Sequence, residues 1–172
     1  KVILTTVHRR ENLGPKLIHI INAIKTIIKD FDDVCFLIPM HPNPLVRDKL
    51  VKHLNSIPQV SLVEPFTYDY LVEVMKNCEF VLTDSGGLQE EAPSLSKPVL
   101  VLRNTTERVE SIESGTSKLI GTNTDDIVRE ISILLKNKKI YRKMSNSINP
   151  YGDGKASQRI LKVCKEFFHL KN

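Results

Sequence analysis

Apolar residues follow two alternating rhythms along this chain. Short apolar, β-branched runs at Val2 to Val7, Val34 to Ile38, Val60 to Val63, Phe80 to Leu82, Val99 to Leu102 and Ser117 to Ile120 read as strands. Between them, apolar positions recur at helical spacing. Leu17, Ile20, Ile21, Ile24, Ile27 and Ile28 give one apolar face to a helix that starts near Pro15 and fades at Lys29-Asp30. Leu45 to Leu54 predicts a second helix after a proline-broken loop. Thr67 is a candidate cap for a third that turns Leu71, Val74 and Met75 inward. A fourth helix starts after Ser85-Gly86-Gly87, and a short one follows the polar turn from Arg103 to Arg108. Asn123 or Thr124 caps a helix with Asp125 and Asp126 in its first turn, where negative charge is favoured; Ile127, Ile131, Leu134 and Leu135 form its inner face. Tyr141 to Met144 continues helically, and Asn149 to Gly154 is a loop. A last helix, over about residues 155–170, sets Ala156, Ile160, Val163, Cys164 and Phe167 on one stripe.

Alternation of strand and helix implies a parallel sheet covered on both faces. Right-handed crossovers then make a three-layer, doubly wound Rossmann-like α/β sheet the expected topology. Without internal repeats or low-complexity linkers, residues 1–172 read as one domain. In such sheets a ligand sits beyond the carboxyl ends of the strands. The polar loops at His8 to Gly14, His41 to Pro44, Phe66, Asp84 to Gly87 and Arg103 to Arg108 all follow strands, so they should converge on one rim.

Composition narrows the function classes. The chain has 172 residues, 41% hydrophobic and 26% charged, which is ordinary for a globular domain. Its net charge of +5 is spread over scattered lysines; it suits a phosphate-bearing ligand and gives no reason to expect nucleic acid. No apolar run is long enough to suggest a membrane partner. Cys35, Cys78 and Cys164 are odd in number and widely spaced. With Cys35 and Cys78 beside apolar strands, buried free thiols in a reducing, cytoplasmic setting are expected. The opening at Lys1, directly into a strand, shows no signal peptide and suggests one part of a longer chain.

Candidate chemistry centres on the stretch Thr83-Asp84-Ser85-Gly86-Gly87-Leu88-Gln89-Glu90-Glu91. Strand, glycine turn and helix start can hold a phosphate, with Ser85 supplying a hydroxyl and Gly86 and Gly87 backbone N–H groups. The alternative is a tight turn that needs glycine. One of Glu90 and Glu91 can face the rim and accept both hydroxyls of a ribose; spacing does not choose between them. His8, flanked by Arg9 and Arg10, is an acid, base or phosphate donor, or else a surface residue. Arg103 and Arg108 can neutralise a diphosphate, or pair with Glu107 or Glu110. His41 lies on a second rim loop, whereas His19, His53 and His169 read as surface residues. The histidine spacing is not that of a zinc site, and no metal is expected. The first strand lacks the Gly-x-Gly-x-x-Gly fingerprint, which argues against NAD; no cofactor is expected.

Five ordered segments together carry a resemblance. They are Thr6-Val7-His8-Arg9-Arg10-Glu11-Asn12, His41-Pro42-Asn43-Pro44, Leu82 to Pro93, Arg103-Asn104-Thr105-Thr106-Glu107-Arg108 and Asn149-Pro150-Tyr151-Gly152-Asp153-Gly154-Lys155-Ala156. The chain resembles the carboxyl-terminal half of the non-hydrolysing UDP-N-acetylglucosamine 2-epimerases. That resemblance implies the second Rossmann-like domain of a glycosyltransferase-B-type fold, with an amino-terminal domain as its partner and a UDP-sugar in the cleft between them. It implies that Ser85, Gly86 and Gly87 hold the diphosphate, that Glu91 takes the ribose hydroxyls, and that Phe66 and Leu71 border the uracil. Family members commonly have an aromatic residue at the position of Leu71. Arg108 and His8 would face the diphosphate and sugar, His8 being the candidate for a direct part in catalysis. The implied reaction inverts C2, interconverting UDP-N-acetylglucosamine and UDP-N-acetylmannosamine through loss and re-addition of UDP. A homodimer is a further expected partner. Two other readings stay open: a nucleotide-sugar-binding module without catalysis, and a glycosyltransferase or hydrolysing epimerase on the same fold.

Overall fold

The strand Val2–Thr6 (β1) lies at the centre of the molecule. It pairs in parallel with Cys35–Pro39 (β2) on one side and with Phe80–Thr83 (β4) on the other. Val60–Val63 (β3) extends the sheet beyond β2, and Val99–Val101 (β5) and Ser117–Leu119 (β6) extend it beyond β4. The order is β3-β2-β1-β4-β5-β6, every neighbour parallel, in this computed structural model, which describes residues 1–168. The chain reverses its direction of travel between β1 and β4, and that switch opens a crevice at the carboxyl ends of those strands.

Alternate strand residues feed two apolar layers, as the two-residue period requires. Ile3, Phe36, Ile38, Phe80, Leu82 and Leu100 enter one layer; Leu4, Val81, Val99 and Val101 enter the other. Three helices cover the first: Pro15–Asp30 (α1), Pro44–Leu54 (α2) and, after β6, Thr124–Lys136. The whole apolar stripe expected for α1 is buried. Tyr68–Asn77 (α3) and Gly86–Glu91 (α4) cover the second layer; α4 runs on into one 3-10 turn, Ala92–Leu95. Met75 of α3 is fully buried, while Leu71 and Val74 are half-buried. Val109–Glu113 (α5) precedes β6, and Thr124–Lys136 is α6 in chain order.

Chain punctuation explains the helix starts. Gly14, with φ of 77°, makes the turn into α1 that a side chain would strain. Asn43 caps α2 by accepting the Leu45 N–H, and Asn123 caps α6 by accepting those of Asp125 and Asp126. Thr67 precedes α3 but makes no capping bond.

Several expectations change in detail. Strand ends shift by a residue, and the first polar loop contains a 3-10 turn, Arg10–Asn12. The helical segment around Tyr141 is separate from α6: it is Lys138–Ser145 (α7), with Asn137 ending one helix and capping the next. The Tyr141 hydroxyl donates to the Glu79 carbonyl at 2.8 Å, pinning α7 to the entrance of β4. Cys35 is half-buried rather than buried, and its thiol donates to the Lys1 carbonyl at 3.5 Å; Cys78 is buried, its thiol pushed up to about 11 by that burial. The last helix spans Ala156–Phe167 (α8), and none of its residues is buried: its apolar stripe faces outward, with Ile160 62% exposed. His169 lies outside the described residues. Among the described residues no helix is long and apolar enough to cross a membrane.

Candidate functional site

The crevice between β1 and β4 is organised by a buried carboxylate. Asp84, the first residue beyond β4, has no exposed surface. It accepts the backbone N–H of His8 at 3.0 Å, that of Arg9 at 2.9 Å and the side-chain amide of Asn12 at 3.0 Å. Asn12 also donates to the Leu102 carbonyl, so the loops after β1, β4 and β5 are tied at one point. Several donors converging on one carboxylate fix the backbone around it. His8 Nδ1 lies 3.1 Å from Asp84 Oδ1, which leaves Nε2 for a ligand. The His8 ring stacks on His41 with centroids 5.5 Å apart. Burial pushes the His8 imidazole below its ordinary value; Asp84 opposes this, and His41 and Arg9 add to it. The unliganded ring is therefore largely neutral at pH 7.

Beside His8 lies a cavity of about 240 Å³, lined among others by Met40, Phe66, Leu71, Ser85 and Leu88. Its wall is mainly apolar. Phe66 is held edge-on by Tyr70, at 4.8 Å between ring centroids. A flat, partly polar ring fits such a space, with polar contacts restricted to its mouth.

At that mouth α4 begins. The Ser85 backbone N–H is taken by the Thr83 hydroxyl at 2.9 Å, while the Ser85 side chain makes no capping bond. The first N–H groups of α4 have no partner within the helix. Gly87 is exposed, and the nearest atoms to the place of its missing side chain are Ser85 Oγ at 3.8 Å and Glu91 Oε1 at 3.9 Å. A ligand can thus approach the backbone there directly. The two carboxylates of α4 diverge. Glu90 pairs with Arg108 Nε, whereas Glu91 turns back toward Gly87 and borders a shallow hollow against Tyr68 and Val72. Burial, and then the charge of Glu90, push the Glu91 carboxyl upward.

Of the residues singled out from sequence, His8, Phe66, Leu71 and Ser85 line one cavity; Gly86 and Gly87 follow Ser85 at the start of α4, and Glu91 Oε1 lies near the place of the missing Gly87 side chain. Arg108 does not line the cavity; it stands on the other side of Gly86, held by Glu90 and near Glu107. Arg103 is buried and makes bonds of 2.7 Å to Glu11 and 2.6 Å to Glu107, the ion-pair alternative. His19 is exposed but His53 is half-buried. Asp84 and Asn12 were not singled out. Their sequence signal is a polar residue directly after a strand and an Asn in the neighbouring rim loop. Among the described residues no group of three His, Cys, Asp or Glu side chains could hold a metal.

Comparison with known proteins adds a second line of findings. The family model described as UDP-N-acetylglucosamine 2-epimerase matches residues 1–165. The UDP-N-acetylglucosamine 2-epimerase of Bacillus subtilis is 49% identical over 161 residues, 94% of this chain and 42% of the relative. An S. aureus MnaA–UDP co-structure superposes with a TM-score of 0.95 at 44% identity, covering 99% of this chain and 47% of that one. UDP-GlcNAc 2-epimerase from Neisseria meningitidis bound to UDP-GlcNAc gives 0.93 at 45% identity, over 96% and 45%. The C-terminal domain of a Francisella tularensis glycosyl transferase group 1 protein shares the fold alone, with a TM-score of 0.66 at 15% identity. The chain thus spans less than half the length of the epimerase relatives it matches.

Proposed function

Because the chain belongs to the UDP-N-acetylglucosamine 2-epimerase family, we propose that it forms the nucleotide-holding side of an enzyme interconverting UDP-N-acetylglucosamine and UDP-N-acetylmannosamine. One observation carries the reading: a mainly apolar cavity, a free hydroxyl and an open glycine turn meet at the switch point of the sheet, beside His8. Uracil enters the cavity against Phe66 and Leu71. Ser85 Oγ and the N–H groups of Gly86 and Gly87 take the diphosphate, and Glu91 accepts the ribose hydroxyls. Arg108 supplies positive charge from the far side of Gly86.

The chemistry follows from what these groups stabilise. Removal of the C2 proton and cleavage of the C1–oxygen bond release UDP and leave a glycal. Re-addition of UDP, with a proton delivered to C2 from the other face, gives the epimer. Cleavage is eased by fixed donors aimed at the oxygen that gains negative charge. His8 is neutral before the ligand arrives; a diphosphate beside Nε2 raises its pKa and makes it a donor. The same contacts retain UDP until it re-adds. In this scheme the groups that move the C2 proton come from the part of the relatives that this chain does not match, and the 172 residues alone are expected to bind UDP weakly and not to epimerise.

Calorimetry with UDP tests the binding role. Glu91→Ala is expected to bind UDP about tenfold more weakly, the scale of one lost charged hydrogen bond. Equal affinities would sink the ribose assignment. Since the Glu91 carboxyl is shifted upward, affinity should decline on acidification sooner than an ordinary glutamate would allow. Turnover of UDP-N-acetylglucosamine by the 172-residue chain alone would overturn the division of labour, and free N-acetylmannosamine as product would mark a hydrolysing enzyme instead.

A further inference from the structure

Gly86 is buried, and three charged tips surround the place its side chain would fill. Glu107 Oε1 lies 3.2 Å away, Arg9 Nη2 3.3 Å and Arg108 Nη2 3.5 Å. Glu107 is the partner these arginines share. Its Oε2 accepts from Arg103 at 2.6 Å; its Oε1 accepts from Arg9 at 3.3 Å and lies 3.7 Å from Arg108 Nη1. Without that carboxylate, guanidinium groups from the loops after β1 and β5 would repel one another at close range. Arg103 is itself immobilised, with its side chain 10% exposed and a second bond to Glu11. A separate thread leads back to the glycine turn. The Arg108 N–H donates to the Thr106 hydroxyl, Thr106 donates to Gln89, and Gln89 donates to the Ser85 carbonyl.

We propose that Glu107 is a positioning residue: its carboxylate gathers Arg9, Arg103 and Arg108 over Gly86 and so presents Arg108 to an arriving diphosphate. Gly86 has no side chain because that carboxylate packs against it. The inference rests on the nucleotide reading above and deepens it. Glu107 is suited to the role because it stays ionised: its own backbone N–H, and then Arg103, hold its carboxyl down at about 2.

The test is calorimetry of the wild-type chain, Glu107→Gln and Gly86→Ala, each with UDP and with uridine. Glu107→Gln keeps the shape and removes the charge. It should weaken UDP binding about tenfold and leave uridine binding unchanged, because only the phosphates meet Arg108. Gly86→Ala should act in the same direction. Its backbone is outside the left-handed region, so alanine is tolerated, and the new methyl pushes Glu107 and Arg9 aside. This second variant carries the test if Glu107→Gln does not fold. Unchanged or tighter UDP binding by the variants overturns the positioning role, as does an equal loss for uridine. A wild-type chain that fails to bind UDP overturns the nucleotide reading itself, and the positioning role with it.

Discussion

At the scale of single residues, Asp84 governs the site more than any group that would touch a ligand. Asp84→Asn preserves its shape but turns an N–H group toward donors from His8, Arg9 and Asn12. A loss of about 2–4 kcal/mol is expected in urea unfolding, the scale for unpairing buried polar groups. His8 should respond as well. Asp84 raises its pKa against the downward pull of burial, so the variant's ring should titrate lower still, as read by NMR. In the wild type the folded pKa already lies below the unfolded one. The stability this contributes is fully present above the ordinary histidine value of about 6.5 and is lost as pH falls through the lower folded value. His8 and Ser85 were legible in the sequence because each follows a strand. Asp84 was legible only as part of a turn, since its donors lie 72 to 76 residues earlier and no local spacing encodes them. Glu107 was legible as a neighbour of Arg103, four residues away, but its contact with Arg9 spans 98 residues.

At the scale of elements, α1 and α8 carry apolar stripes of the same period and meet different fates. The stripe of α1 is buried, with α6 packed over the helix; that of α8 is uncovered. Periodicity reports that a helix has an apolar face, not what covers it, which is why the sequence reading could not separate the two. The difference is measurable. Ile160→Ser in α8 should change the stability of this chain by less than about 0.5 kcal/mol. Ile24→Ala in α1 should cost about 2–5 kcal/mol, because Ile24 has no exposed surface and leaves a cavity. Thermal unfolding of both variants checks the pair, and similar losses would contradict the burial described for α8. The break between α6 and α7 escaped the sequence reading for a related reason: Asn137 ends one helix and caps the next without a glycine or proline to announce it.

At the scale of the whole molecule, the doubly wound parallel topology was legible because alternation and the handedness of crossovers leave few arrangements; the strand order itself, β3-β2-β1-β4-β5-β6, comes from the structure. That order brings the loops after β1 and β4 to one crevice. Binding there is linked to the stability of the entire sheet. UDP at a hundredfold excess over its Kd should raise the unfolding free energy by about 2.7 kcal/mol, and Glu91→Ala should show less of this gain at the same concentration. The tie between His8 and Asp84 has one more consequence, for the order of events in folding. It joins residues 76 apart and closes over α1, β2, α2, β3 and α3. Contacts so distant along the chain form only after the intervening loop entropy has been overcome. The turn at Ser85 is therefore expected to be completed late in refolding, and recovery of UDP binding should coincide with the pairing of the two central strands.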